Sequence, residues 1–119
     1  MSYSEKIQEV IDGSDVALFM KGTPALVMCG NSDRALKALR RAGASVTAVD
    51  VLPDPQIRQD LTAISGWPTI PQVFVKGELV GGADIVEELE QSGELAATLQ
   101  AKLGDAYAAE RDETTVALA

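Results

Sequence analysis

Histidine is absent from the chain. That absence removes Cys–His and Ser–His nucleophile pairs, and with them any internal zinc site built from cysteine and histidine. Cysteine occurs once, as Cys29, so no internal disulfide forms and the fold does not depend on an oxidising compartment. Any thiol chemistry must draw its activation from backbone N–H groups and from lysine or arginine. No apolar run approaches the length that crosses a bilayer, and the first residues show no basic segment followed by an apolar one. The default expectation is a cytoplasmic protein that does not enter a membrane.

What is present suffices for one domain. A chain of 119 residues, 46% of them hydrophobic, supports a single core and is too short for two ordinary domains. A formal net charge of −8 argues against nucleic acid bound through a general phosphate footprint. The charge is unevenly spread: residues 77–119 hold ten acids and two bases, residues 21–76 four acids and seven bases. The middle of the chain is locally positive and suits a small anionic ligand better than a polyanion.

Periodicity supplies the elements. Ile7, Val10 and Ile11 share one side of a short helix between Ser4 and Asp12, closed by Gly13. Val16 to Met20 is a continuous apolar run of strand length, as in a strand buried on both faces. Ala35, Leu36, Ala38, Leu39 and Ala42 form an apolar helix face ending at Gly43. Arg34, Lys37 and Arg41 fall on another face, expected to be solvated surface. Ser45 to Val51 gives a further strand, parallel to the first because a helix intervenes. Asp54-Pro55 reads as an N-cap and first helical residue, with Ile57, Leu61 and Ile64 inward and Gly66 as the stop.

Gln72 to Val75 and Glu78 to Val80 flank the Lys76-Gly77 turn of a hairpin. Gly81-Gly82 breaks it, Asp84 is placed to cap a helix carrying Ile85, Val86 and Leu89, and a last helix uses Leu95, Leu99 and Leu103. These elements sum to an α/β fold, a four-stranded mixed sheet with helices on both faces. The expected domain is 1–103. The acidic, alanine-rich segment 104–119 is expected to be poorly ordered.

Cys29 falls where a strand, a loop and a helix meet. A thiol at a helix entrance lies beside unpaired N–H groups and the positive end of the helix dipole, which favours thiolate. Lys21 adds a second positive charge from the strand end. A lone cysteine is more often a small buried hydrophobe, but the strand–loop–helix context favours the reactive reading.

Four motifs occur in order: Lys21-Gly22-Thr23-Pro24, Cys29-Gly30-Asn31-Ser32, Trp67-Pro68-Thr69-Ile70-Pro71-Gln72 and Gly81-Gly82-Ala83-Asp84-Ile85. Together they resemble a monothiol glutaredoxin of the Cys-Gly-Phe-Ser type, from about Ser4 to Leu103. Asn31 stands where that family has phenylalanine, Val27 replaces a proline, and Ala83 replaces a frequent second cysteine. The resemblance implies a thioredoxin-like fold and glutathione as ligand, with Cys29 as the reactive thiolate. It assigns Lys21 and Arg58 to the glycine carboxylate of glutathione, although a solvated Arg58 is the commoner outcome for a helix arginine.

The resemblance also implies a cis bond before Pro71, which presents the backbone of Ile70 to an extended peptide. The plainer alternative is that Pro71 opens an edge strand. At the other end, the N–H groups of Ala83 and Asp84 suit a carboxylate and the Asp84 side chain an ammonium, the two charges of a γ-glutamyl group. A capping role alone for Asp84 is the alternative.

A [2Fe–2S] cluster needs four thiolates. Two chains supply two, and two glutathione thiolates complete the set, so a cluster-bridged homodimer is expected, with Cys29 as the metal ligand; the resemblance implies the same. The leading expectation is a glutathione-dependent carrier or scaffold for iron–sulfur clusters. Partners implied by the resemblance are a BolA-like protein and iron–sulfur client proteins. One alternative is a weak thiol–disulfide oxidoreductase that removes glutathione from proteins through a mixed disulfide. Another is a degenerate glutathione-binding module, because Asn31 replaces an aromatic beside the ligand thiol. Asn31 is expected to make the cluster more labile without changing the fold.

Overall fold

In chain order the elements are α1 (Tyr3–Gly13), β1 (Val16–Met20), β2 (Gly22–Thr23), β3 (Leu26–Val27), α2 (Gly30–Arg41), β4 (Val46–Asp50), α3 (Pro55–Ser65), β5 (Gln72–Val75), β6 (Glu78–Gly81), α4 (Ala83–Ser92), α5 (Glu94–Leu103), α6 (Asp105–Ala108) and β7 (Glu113–Val116). They come from a computed structural model that describes residues 1–108 and 111–119. The apolar run of β1 is buried along its whole length because successive side chains serve different cores. Val16, Leu18 and Met20 pack with Leu36, Leu39, Val86, Leu95 and Leu99 from α2, α4 and α5. Ala17 and Phe19 pack on the opposite face with Ile7, Ile11, Ile57 and Leu61 from α1 and α3. Phe19 meets Phe74 of β5 edge to face, ring centroids 5.7 Å apart and planes at 83°, an arrangement favoured by the ring quadrupoles.

The sheet runs β6-β5-β1-β4-β7. β1 is parallel to β4, with Ala17 opposite Thr47, and antiparallel to β5, with Leu18 opposite Val73. Local chemistry sets the boundaries. Ser2 and Glu5 form a reciprocal capping box on α1. Asp54 accepts the Gln56 N–H at the start of α3, Pro55 follows, and Gly66 ends the helix in the left-handed region. Lys76 and Gly77, at φ 50° and 82°, give the β5–β6 hairpin a turn whose twist matches the strands.

Four expectations are corrected. The main sheet has five strands, not four, and β2 and β3 form a separate two-stranded ribbon. The fifth strand comes from the segment expected to lack order: β7 pairs in parallel with β4, Val116 opposite Val49. Leu118 is buried in the α1/α3 core, and the Lys6 ammonium donates to its carbonyl at 3.0 Å. Ala109 and Glu110, within the same expectation, lie outside the described residues. Asp84 does not cap α4; Gly82 holds that place, without a side-chain cap. The basic face of α2 is not simply solvated: Arg34 pairs with Asp84 and Glu87, and Arg41 with Glu90.

A docked terminal strand makes Leu118 part of the stability of the whole domain. Leu118→Ala is expected to lower the unfolding free energy by about 2 kcal/mol, the small end of core leucine truncations, measured by urea denaturation. An unchanged midpoint and slope would mean that the segment does not dock.

Candidate functional site

The ribbon β2–β3 carries the chain from the central strand to α2. Gly22 has φ 93°, and any side chain there would run into the Leu26 carbonyl oxygen and lie 2.7 Å from the Met28 nitrogen. Only glycine fits this turn. The Met28 N–H donates to the Lys21 carbonyl at 2.9 Å, and the next residue, Cys29, is the extended N-cap of α2. Its thiol is partly exposed.

Partial burial pushes the Cys29 thiol up, but four opposing contributions outweigh it and hold its pKa below the ordinary thiol range. These are the Ser32 N–H, the Ser32 hydroxyl, the Asn31 N–H and the nearby charge of Lys21. The two N–H donors are unpaired groups of a first helical turn, which stabilise an anion. Ser32 is fully buried, and its Oγ accepts the Lys21 N–H at 3.1 Å. The same hydroxyl thus ties the end of β1 to the turn that holds the sulfur.

A groove of about 340 Å³ lies alongside, lined among others by Asn31, Trp67, Ile70, Pro71, Ala83 and Asp84. The Ile70–Pro71 bond is cis, as the resemblance implied. Gln72 is buried below it and donates from Nε2 to the carbonyls of Trp67 and Thr69 at 2.9 and 3.2 Å, which fixes the loop before Pro71. A Cβ on Gly82 would lie 3.3 Å from both the Pro71 carbonyl oxygen and Trp67 Nε1, so the two walls meet where the backbone is bare. In α4 the first helical bond runs from Val86 N–H to the Gly82 carbonyl, and the N–H groups of Ala83 and Asp84 are left without an acceptor within the helix.

Arg34 of α2 spans to the other wall. Its Nη2 lies 2.9 Å from Asp84 Oδ1 and 2.9 Å from Glu87 Oε1. The hydrogen bonds from Arg34 hold the Glu87 carboxyl below the usual carboxylate range. The Asp84 side chain remains 89% exposed, so one of its oxygens is open to a ligand.

Of the residues singled out in the sequence, Ile70, Pro71, Ala83 and Asp84 share this groove. Cys29 borders a separate depression with Val27, Met28, Gly30 and Asp33, and Asn31, two residues on in α2, lines the groove. Lys21 is close enough to act on the sulfur. Arg58 is exposed on α3 and lines neither depression. Ser32 and Trp67 lie within motifs that do not by themselves give their roles here; the helical spacing of Arg34 suggests a solvated residue because its partners lie some fifty residues away.

A partly exposed thiol at a helix N-terminus and a cis-proline loop on a mixed sheet are features of the thioredoxin-like fold, and within it the glutaredoxin family model matches residues 16–80. Rice monothiol glutaredoxin-S11 is 49% identical over 98 residues, 82% of this chain but 20% of that protein. Glutaredoxin 4 of Escherichia coli K12 is 50% identical over 91 residues, 76% of this chain and 79% of that protein. Buckwheat glutaredoxin, solved as a complex with glutathione, superposes with a TM-score of 0.72 at 25% identity, over 83% of this chain and 88% of that one. The chain belongs to the glutaredoxin family, in its monothiol branch.

The Cys29 environment gives a signed expectation. Alkylation by iodoacetamide rises as pH climbs through the thiol's midpoint, because only the thiolate attacks. That midpoint is expected below free cysteine in the native protein and shifted upward in Ser32→Ala, which removes one stabilising donor. A native midpoint at or above that of free cysteine would contradict the geometry described.

Proposed function

We propose that this chain is a glutathione-dependent carrier of [2Fe–2S] clusters, acting as a homodimer in which each subunit contributes Cys29 and one bound glutathione. The observation that carries this reading is a solitary, partly exposed thiol, stabilised as thiolate and set beside a groove fit for a zwitterionic peptide. Cluster iron prefers thiolate ligands, and four are required. One chain holds one cysteine, so the remaining three must come from outside it.

The groove suits glutathione at the chemical level. Unpaired N–H groups of α4 favour a carboxylate, and the open oxygen of Asp84 favours the neighbouring ammonium. Membership of the glutaredoxin family and the glutathione complex of its buckwheat relative support the same ligand. Lys21 is the base best situated for the glycine carboxylate; Arg58 would have to reach it from the exposed side of α3. Leu26 and Met28 stand 68% and 61% exposed in the loop before Cys29, an apolar rim that a second subunit would cover. Cargo held at such a surface is open to transfer, with a BolA-like protein and cytoplasmic iron–sulfur clients as the partners of this reading.

The lowered thiol pKa favours a second reading. Cys29 thiolate attacks the glutathione sulfur of a protein–glutathione disulfide and expels the protein thiolate. A second glutathione thiolate then attacks the Cys29 mixed disulfide, freeing Cys29 and leaving glutathione disulfide. With no resolving cysteine in the chain, the second glutathione is obligatory.

Anaerobic reconstitution with iron, sulfide and glutathione separates the two. The carrier reading predicts a brown dimer on size-exclusion chromatography, lost in Cys29→Ser and reverting to colourless monomer when glutathione is withdrawn. Colourless protein that still deglutathionylates a peptide would leave the exchange enzyme instead.

A further inference from the structure

Asn31 occupies a place in the groove wall that the reading above leaves without a role. Its amide is oriented by its neighbour. A guanidinium can only donate, and Arg34 Nη1 lies 3.1 Å from Asn31 Oδ1. The amide oxygen therefore faces Arg34, and the NH₂ group is directed away from it. Arg34 is itself anchored across the site, from Nε to Glu87 Oε2 at 3.3 Å and from Nη2 to Glu87 Oε1 and Asp84 Oδ1 at 2.9 Å each. Among the described residues no acceptor takes a hydrogen bond from Asn31 Nδ2, while Asn31 lines the same groove as Ala83 and Asp84.

The charges at this end of the groove are suited to a zwitterion. Two carboxylates, Asp84 and Glu87, share one guanidinium, which leaves one net negative charge for an ammonium. An adjacent carboxylate would meet the unpaired N–H groups of α4 and needs further donors, since it is pushed away by Asp84 and Glu87. A phenylalanine at position 31 would offer neither an acceptor to Arg34 nor a donor to the groove. We propose that Asn31, oriented by Arg34, is a specificity residue that donates a hydrogen bond from Nδ2 to the α-carboxylate at the γ-glutamyl end of glutathione. The assignment rests on glutathione occupying the groove, as proposed above.

The single tryptophan, Trp67, lines the groove and reports binding by its fluorescence. Two non-exchanging probes are titrated into the full chain: S-methylglutathione, and its analogue with γ-aminobutyryl in place of γ-glutamyl, which keeps the ammonium and lacks the α-carboxylate. Asn31→Ala is expected to bind S-methylglutathione about tenfold more weakly than the native chain, the scale of a hydrogen bond to a charged group. It is expected to bind the analogue equally well. Asn31→Asp keeps an acceptor for Arg34 but has no donor, and is expected to lose at least as much, again only for the carboxylate-bearing probe.

Equal losses for both probes, or no loss for either, overturn the assignment of Asn31 while leaving glutathione in the groove. A native chain that binds neither probe overturns the glutathione reading itself, and the Asn31 assignment with it.

Discussion

The first turn of α2 is the constraint on which the site depends. A helix must begin with N–H groups that no carbonyl of its own can reach, and here they surround the one thiol of the chain. Their aim is fixed from behind. The buried Ser32 hydroxyl takes the N–H of Lys21 at the end of β1, so the turn cannot rotate away from the central strand without leaving a polar pair unmade in the interior. β1 in turn is held between β4 and β5 and packed on both faces. The position of Cys29 is thus tied, through Ser32, to the central region of the sheet.

The opposite wall obeys a different logic. α4 presents its own unpaired N–H groups, and its acidic first turn is bound to α2 through Arg34. Asp84 and Glu87 are exposed or partly exposed, so the clasp has little energetic weight in water. Its effect is geometric: it sets where the Asp84 carboxylate and the Asn31 amide stand relative to the groove. Asn31 is neither the cap that a polar residue at a helix start suggests nor a spacer, because its side chain is turned to Arg34 by a donor that accepts nothing.

The sequence was most legible where a single local rule decides. The apolar run of β1, the Asp54-Pro55 start and Gly66 stop of α3, and the Lys76-Gly77 turn all follow from backbone chemistry within a few residues. The motif around Pro71 was legible through resemblance. Long-range pairing was not. Glu113 to Val116 contains one aliphatic residue in four, since an edge strand beside β4 keeps much of its surface in water, and its composition looks like a tail. Tyr107, Arg111, Asp112 and Glu113 bond with residues 40–46, partners that no local pattern announces. Arg34 escaped notice for the same reason: its helical spacing fits a solvated stripe, and only the fold brings α4 beside it. The position of Arg58 shows the converse, a residue named by resemblance whose surroundings in this chain do not by themselves mark a site.

Cys29 stands two residues before Asn31 of the groove wall, and the proposed function needs one ligand to use both the thiol and the groove. The most direct measurement is a crystal structure of the chain with Cys29 in a mixed disulfide with glutathione. The tripeptide is predicted to lie along Ile70 and Pro71, with its γ-glutamyl group at the start of α4 beside Asp84. A tripeptide projecting into solvent, or lying on the far side of α2 away from Pro71, would contradict the account.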